Sequence, residues 1–199
     1  MMKKTIAAIL VCLMVCVSAL AEPGHKDGGR SGKGGGMDVL NKGIAYLNGD
    51  GVEQDYEKAM EVFLSAHESG NKKAARYIGM MYEQGLGVQQ DYETAANWYT
   101  QGVDNGDLTS SYYLGLLYKE GKGVSQDYAK AVELFSSIAG SDNKSATGVV
   151  SAGYELGLLY EQGLGVEQDV EKAITLYKEA AEYENEDAIA ALERLGAAE

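Results

Sequence analysis

Apolar residues along this chain return at i, i+4, i+7 and i+8. Ala74, Ile78, Met81 and Tyr82 form one such set, Ala152, Leu156, Leu159 and Tyr160 another; between them Ser110, Leu114, Leu117 and Tyr118 keep the frame. At 3.6 residues per turn these positions share one face, so each set predicts a helix with a buried stripe. A glycine interrupts each stripe, at Gly79, Gly115 and Gly157. Inside a helix it costs about 1 kcal/mol relative to alanine. Its return at one place implies a partner helix crossing too closely for a side chain. A second kind of stripe predicts those partners: Ala59 with Val62–Phe63, Ala95 with Trp98–Tyr99, Ala131 with Leu134–Phe135, Ala173 with Leu176–Tyr177. No stretch alternates with period two for long enough to argue a strand. The pattern is all-α.

Between the two kinds of stripe lies a recurring turn: Gly49-Asp50-Gly51-Val52, Gly85-Leu86-Gly87-Val88, Gly121-Lys122-Gly123-Val124 and Gly163-Leu164-Gly165-Val166. Successive copies are 36, 36 and 42 residues apart. A period of this size is the mark of stacked repeats, each too small to bury its apolar face alone. Gly85 and Gly87 can take positive φ just past a helix end, leaving Val88 to fold back on the core. Asp55, Asp91, Asp127 and Asp169 then stand at the N-cap of the following helix, with Glu57, Glu93 and Glu171 in its first turn, where the helix dipole favours negative charge.

The composite Ala-x-x-x-Leu-Gly-x-x-Tyr-x-x-Gly-x-Gly-Val-x-x-Asp-x-x-x-Ala-x-x-Trp-Tyr resembles the Sel-1-like repeat, a relative of the tetratricopeptide solenoids. The likeness runs from about Val39 to Glu182. It implies a right-handed solenoid of αα-hairpins with four units, at about 38–73, 74–109, 110–151 and 152–187, closed by a capping helix within 188–199. The first copy departs from the pattern at Asp38 and Lys42. The cap has Glu193 where the glycine belongs, and a polar, atypical last helix suits an open solenoid end. The longer third spacing places a small, polar insertion within Ala139–Gly148, read as a loop.

The N-terminus is of another kind. Basic Met1–Lys4, the apolar run Thr5–Ser18 and Ala19-Leu20-Ala21 predict a secretory signal peptide over 1–21, cleaved between Ala21 and Glu22. The apolar run is shorter than the roughly 20 residues a membrane span needs. Cys12 and Cys16 are the chain's two cysteines, both lie in this leader, and each follows a valine, which argues against lipid attachment. The mature chain therefore folds without disulfides. Export to a bacterial periplasm, or secretion, is expected. Residues 22–37 are glycine-rich and read as a flexible linker; Lys33 among its glycines lacks the order of a phosphate-binding loop.

From Asp38 onward 12 Lys and Arg face 28 Asp and Glu, a net of −16. That field disfavours nucleic acid and anionic membrane surfaces, and suits a basic partner unless the acids only maintain solubility. Catalytic constellations are nearly absent. His25 lies in the linker, His67 near a helix end, and no nucleophile stands beside a base. The frame of Asn48–Asp55 recurs as a turn without an acid at the place of Asp50 in the other copies, so no calcium loop is read there. No cofactor or metal is implied. Cysteine-rich relatives in the resembled family are tied to β-lactam binding or hydrolysis, but this chain lacks their cysteines.

In solenoids of paired helices the first helix of each pair lines the concave side. The resemblance places Leu40, Asn41, Ile44 and Asn48 there in the first copy, and Arg76, Tyr77 and Met80 in the second. Tyr112, Tyr113, Leu116 and Lys119 follow in the third, Tyr154, Glu155 and Leu158 in the fourth. Tyr77 and Tyr113 are expected as exposed anchors, while Tyr112 and Tyr154 are candidates for packing between repeats. Three functions compete: an exported scaffold or adaptor binding a protein or peptide in its groove; an immunity protein sequestering a secreted toxin such as a lipase effector; and an enzyme acting on cell wall or β-lactams, disfavoured by the missing groups. A monomer is expected.

Overall fold

The computed structural model describes residues 35–141 and 148–198, so the leader with its Ala21–Glu22 junction, the linker up to Gly34 and the heart of the insertion lie outside the described residues. Nine helices follow in the described residues: α1 (Gly35–Asn48), α2 (Tyr56–Glu68), α3 (Ala74–Gln84), α4 (Tyr92–Asp104), α5 (Leu108–Glu120), α6 (Tyr128–Ala139), α7 (Val149–Gln162), α8 (Val170–Ala181) and α9 (Glu186–Leu195). None is long and apolar enough to cross a membrane. The odd-numbered helices α1 to α7 are first helices, each packed on the second helix that follows it, and α9 closes the series. This is the all-α solenoid of hairpins with a cap. Helix α1 begins at Gly35, inside the stretch 22–37 expected as linker, a shift of the size common at helix ends.

Three hydrogen bonds recur in every turn and explain why the same residues return. The predicted aspartate caps form: Asp55 accepts from the Lys58 amide, Asp127 from Lys130 and Asp169 from Lys172, while Asp91 accepts from both Glu93 and Thr94. The amides of Asp55, Asp91, Asp127 and Asp169 donate back to the carbonyls of Tyr46, Tyr82, Tyr118 and Tyr160, each at 2.9 Å. The preceding glutamines, Gln54, Gln90, Gln126 and Gln168, donate side-chain N–H to the carbonyls of Leu47, Glu83, Lys119 and Glu161 at 2.7 to 2.9 Å. Orphan groups at both helix ends are thus satisfied within one turn.

The stripes bury at their first three positions: Ala74, Ile78 and Met81 are 0% exposed, as are Ser110 and Ala152, with Leu114, Leu117, Leu156 and Leu159 at 5% or less, while the closing Tyr82, Tyr118 and Tyr160 are half-buried. The interrupting glycine accommodates an aromatic ring of the second helix. A Cβ on Gly43, Gly115 or Gly157 would lie 2.5 Å from the ring of Phe63, Phe135 or Tyr177, and one on Gly79 would lie 2.8 Å from Tyr99. The second glycine of the turn joins repeats instead. At Gly123 φ is +69° and a Cβ would come within 2.2 Å of the Tyr92 carbonyl carbon, at the start of the preceding repeat's second helix. The first copy corrects one expectation. Leu40, placed on the open side by the sequence, is 2% exposed in the core around Phe63. Leu40 and Leu47 take the burial that Asp38 and Lys42 cannot supply.

Candidate functional site

The residues predicted to face a ligand are Arg76, Tyr77, Met80, Tyr112, Tyr113, Leu116, Lys119, Tyr154, Glu155 and Leu158, and all ten are half-buried. They come from α3, α5 and α7, so three successive repeats contribute to one row. Within it the rings divide differently from expectation. Tyr77 stacks on Phe63 (centroids 4.9 Å, planes 13° apart) and Tyr113 stacks on Tyr99 (5.4 Å, 18°), each reaching the second helix of the preceding repeat. Tyr112 and Tyr154 instead pack at a tilt on Phe135 and Tyr177 of their own repeats, at 6.1 and 5.7 Å. The tyrosines expected as free anchors therefore bridge repeats, and those expected between repeats pack within a hairpin. Tyr112 and Tyr113 also meet, at 5.5 Å, which joins the two sets.

The charges in this row are paired. Arg76 donates to Asp107 at 3.2 Å and to the Tyr77 hydroxyl at 3.3 Å, with its guanidinium 4.8 Å above the Tyr77 ring. Asp107 is in turn the N-cap of α5, accepting from the Ser110 amide and hydroxyl. Lys119 bonds Glu155 of the next first helix. Glu161 accepts two bonds from Arg194, at 2.7 and 2.8 Å, tying α9 to α7. Burial pushes the Tyr112, Tyr113 and Tyr154 hydroxyls upward in pKa, helped by Glu155, Glu83 and Asp187 respectively. They remain neutral at ordinary pH.

Acidity is concentrated elsewhere. The turns and second helices, residues 49–72, 85–106, 121–141 and 163–185, hold 17 acids and 6 bases, a net of −11. The first helices and cap, residues 38–48, 73–84, 107–120, 148–162 and 186–198, hold 9 acids and 5 bases, a net of −4.

Sequence reasoning overlooked the glutamines of the turn, Asp107, and Glu83 and Glu161 as acceptors for buried tyrosines. The Gln-Asp dipeptide repeating at the 36, 36 and 42 spacing was the available signal for the first. Among the described residues no group of three or more His, Cys, Asp or Glu could hold a metal ion. His67 lies edge-on to Trp98 at 5.0 Å, an aromatic contact between neighbouring second helices.

The chain is similar to a protective antigen of uropathogenic Escherichia coli displaying an SLR fold, at 29% identity and a TM-score of 0.68 over 78% of this chain and 32% of that one. A Sel1 repeat protein from Oxalobacter formigenes shares 29% identity and a TM-score of 0.67 over 77% of this chain and 61% of that one. A Sel1 repeat protein from Klebsiella pneumoniae shares the fold at 19% identity and a TM-score of 0.51, over 82% of this chain and 79% of that one. The chain thus spans about a third and about three fifths of the first two proteins' lengths. No curated protein matches the sequence. Proteins built from such repeats generally mediate protein–protein interaction and are typically non-catalytic scaffolds. The Sel1 repeat matches at residues 43–71, 72–107, 109–143 and 150–182, one match for each helix pair, and the chain belongs to that family.

Proposed function

We propose that this chain is an exported, non-enzymatic interaction module that binds a segment of another protein along the row of first helices, the concave side of its solenoid. The carrying observation is that α3, α5 and α7 each present aromatic and aliphatic residues that are half-buried and therefore both fixed and accessible. Rigid tyrosines lose little entropy on binding, and pre-packed rings are suited to anchor a partner. Capture of partners from the exported fraction, with Leu116→Gln and Leu158→Gln beside the native chain, tests this reading. Loss of a specific partner in both variants, with circular dichroism unchanged, is the expected result. Equal capture would move the site elsewhere. Export itself is tested by intact mass: the mature chain should begin at Glu22.

A second reading is occlusion of a basic secreted toxin, as an immunity protein. The net of −11 on turns and second helices favours it, and such a partner would dock on that side.

A further inference from the structure

We infer that the segment bound along the first-helix row is uncharged, rich in aromatic, aliphatic or proline residues, and not basic despite the acidity of the chain. This rests on the interaction-module reading above and adds the partner's chemistry to it. Every charged residue among the ten in the row already has a counter-ion: Arg76 has Asp107, and Lys119 and Glu155 have each other. The Arg76–Asp107 pair is enclosed, with side chains 17% and 8% exposed, and the Lys119–Glu155 pair nearly so, at 26% and 14%. A charged ligand group laid over such a pair would lose its own hydration and gain no free counter-charge. An uncharged side chain incurs no such penalty, and Met80, Leu116 and Leu158 offer it apolar contact along the row. Two exposed charges stand in equivalent first-turn positions three repeats apart, Lys73 in α3's cap and Asp187 in α9, one of each sign. Glu83 and Asp187 lie near the row's tyrosines, but most of the acids that would draw a basic partner lie on the turns and second helices, with a net of −11 against −4 on the first helices and cap.

A phage-displayed library of random twelve-residue peptides, panned against the purified chain, tests the inference. Enriched peptides are then synthesised and their affinities measured in 50 and 500 mM NaCl. The expected consensus carries no net charge, and affinity changes by less than about threefold between the two salts, because screening acts on charge pairs and not on apolar contact. Leu116→Gln should weaken these peptides by roughly tenfold, the scale of one lost interface anchor, with helicity retained. Leu158→Gln provides the same readout if Leu116→Gln does not fold. A Lys- or Arg-rich consensus that loses affinity in salt and is weakened by Leu116→Gln would overturn the inference while leaving the row as the binding face. Peptides of any charge that bind both variants like the native chain would overturn the face itself, and the inference with it. A library that yields no binder would overturn both.

Discussion

The hydroxyl of Tyr177 on α8 donates to Glu161 on α7 at 2.7 Å. Two repeats earlier, Tyr99 on α4 donates to Glu83 on α3 at 2.5 Å, from the same two places in the repeat. Where the second-helix ring is Phe, the first-helix partner position is not acidic: Phe63 goes with Leu47, Phe135 with Lys119. A buried hydroxyl demands an acceptor and a phenyl ring does not, so the two positions are chosen together. Burial, with the Glu83 and Glu161 carboxylates adding to it, pushes the hydroxyls of Tyr99 and Tyr177 upward in pKa, which keeps them as donors.

The pair should therefore show coupling. Tyr177→Phe alone is expected to cost about 0.5–1.5 kcal/mol, a lost hydrogen bond with the carboxylate still held by Arg194. Glu161→Leu strands the hydroxyl and is expected to cost about 1–3 kcal/mol. In the Tyr177→Phe background the same change should cost less, since no hydroxyl is left to strand. Urea unfolding followed by circular dichroism gives all three values, and strict additivity would contradict the pairing.

Glycines of the first helices divide into two kinds. Gly115 has the Phe135 ring where a Cβ would sit, and Gly153, also buried in its helix, has nothing within 4 Å. Gly115→Val should be destabilised by about 1–3 kcal/mol or more through overpacking. Gly153→Ala should instead gain up to about 1 kcal/mol from helix propensity. Opposite shifts in melting temperature are expected. Equal losses would show that helix context, and not the ring, sets the cost.

Turn glycines offer a similar contrast between repeats. Gly51 and Gly123 share a left-handed φ, +73° and +69°, but the first has open space beside it and the second the backbone at Tyr92. Gly51→Ala should cost about 1–2 kcal/mol of backbone strain alone. Gly123→Ala adds a clash that only movement of one repeat against the next can relieve. Hydrogen exchange should then show protection lost where the start of α4 meets the turn after α5, in the second variant only.

Periodicity made the hairpins legible because each first helix buries the i, i+4, i+7, i+8 stripe against its own partner. It was silent about a second buried face. A first helix inside a solenoid also meets the second helix of the preceding repeat, and Tyr77 and Tyr113 turn to that side, onto Phe63 and Tyr99. A one-stripe reading assigns those positions to solvent, which is why they were expected as free anchors. The ion pairs were out of reach for a related reason. Arg76 and Asp107 are 31 residues apart, and Glu161 and Arg194 are 33 apart, nearly one repeat in each case, so they become neighbours only once repeats stack.

The tie between cap and solenoid should respond to acid in a defined direction. The two hydrogen bonds from Arg194 hold the Glu161 carboxyl below the ordinary glutamate value of 4.5, with the Tyr177 hydroxyl adding to the effect. A carboxylate with a depressed folded pKa contributes stability that is complete above its unfolded pKa and is lost as pH falls through the folded value. Arg194→Met removes the main cause, so Glu161 moves back toward 4.5. The native chain should exceed the variant in stability at pH 7, and the gap should close as pH drops below the carboxylate range. The gap should also narrow in high salt, since Arg194 is half exposed. Urea midpoints at pH 7, 5, 4 and 3 measure it. A gap that stays constant down to pH 3 would mean that Arg194 supports α9 by packing of its stem and not through Glu161.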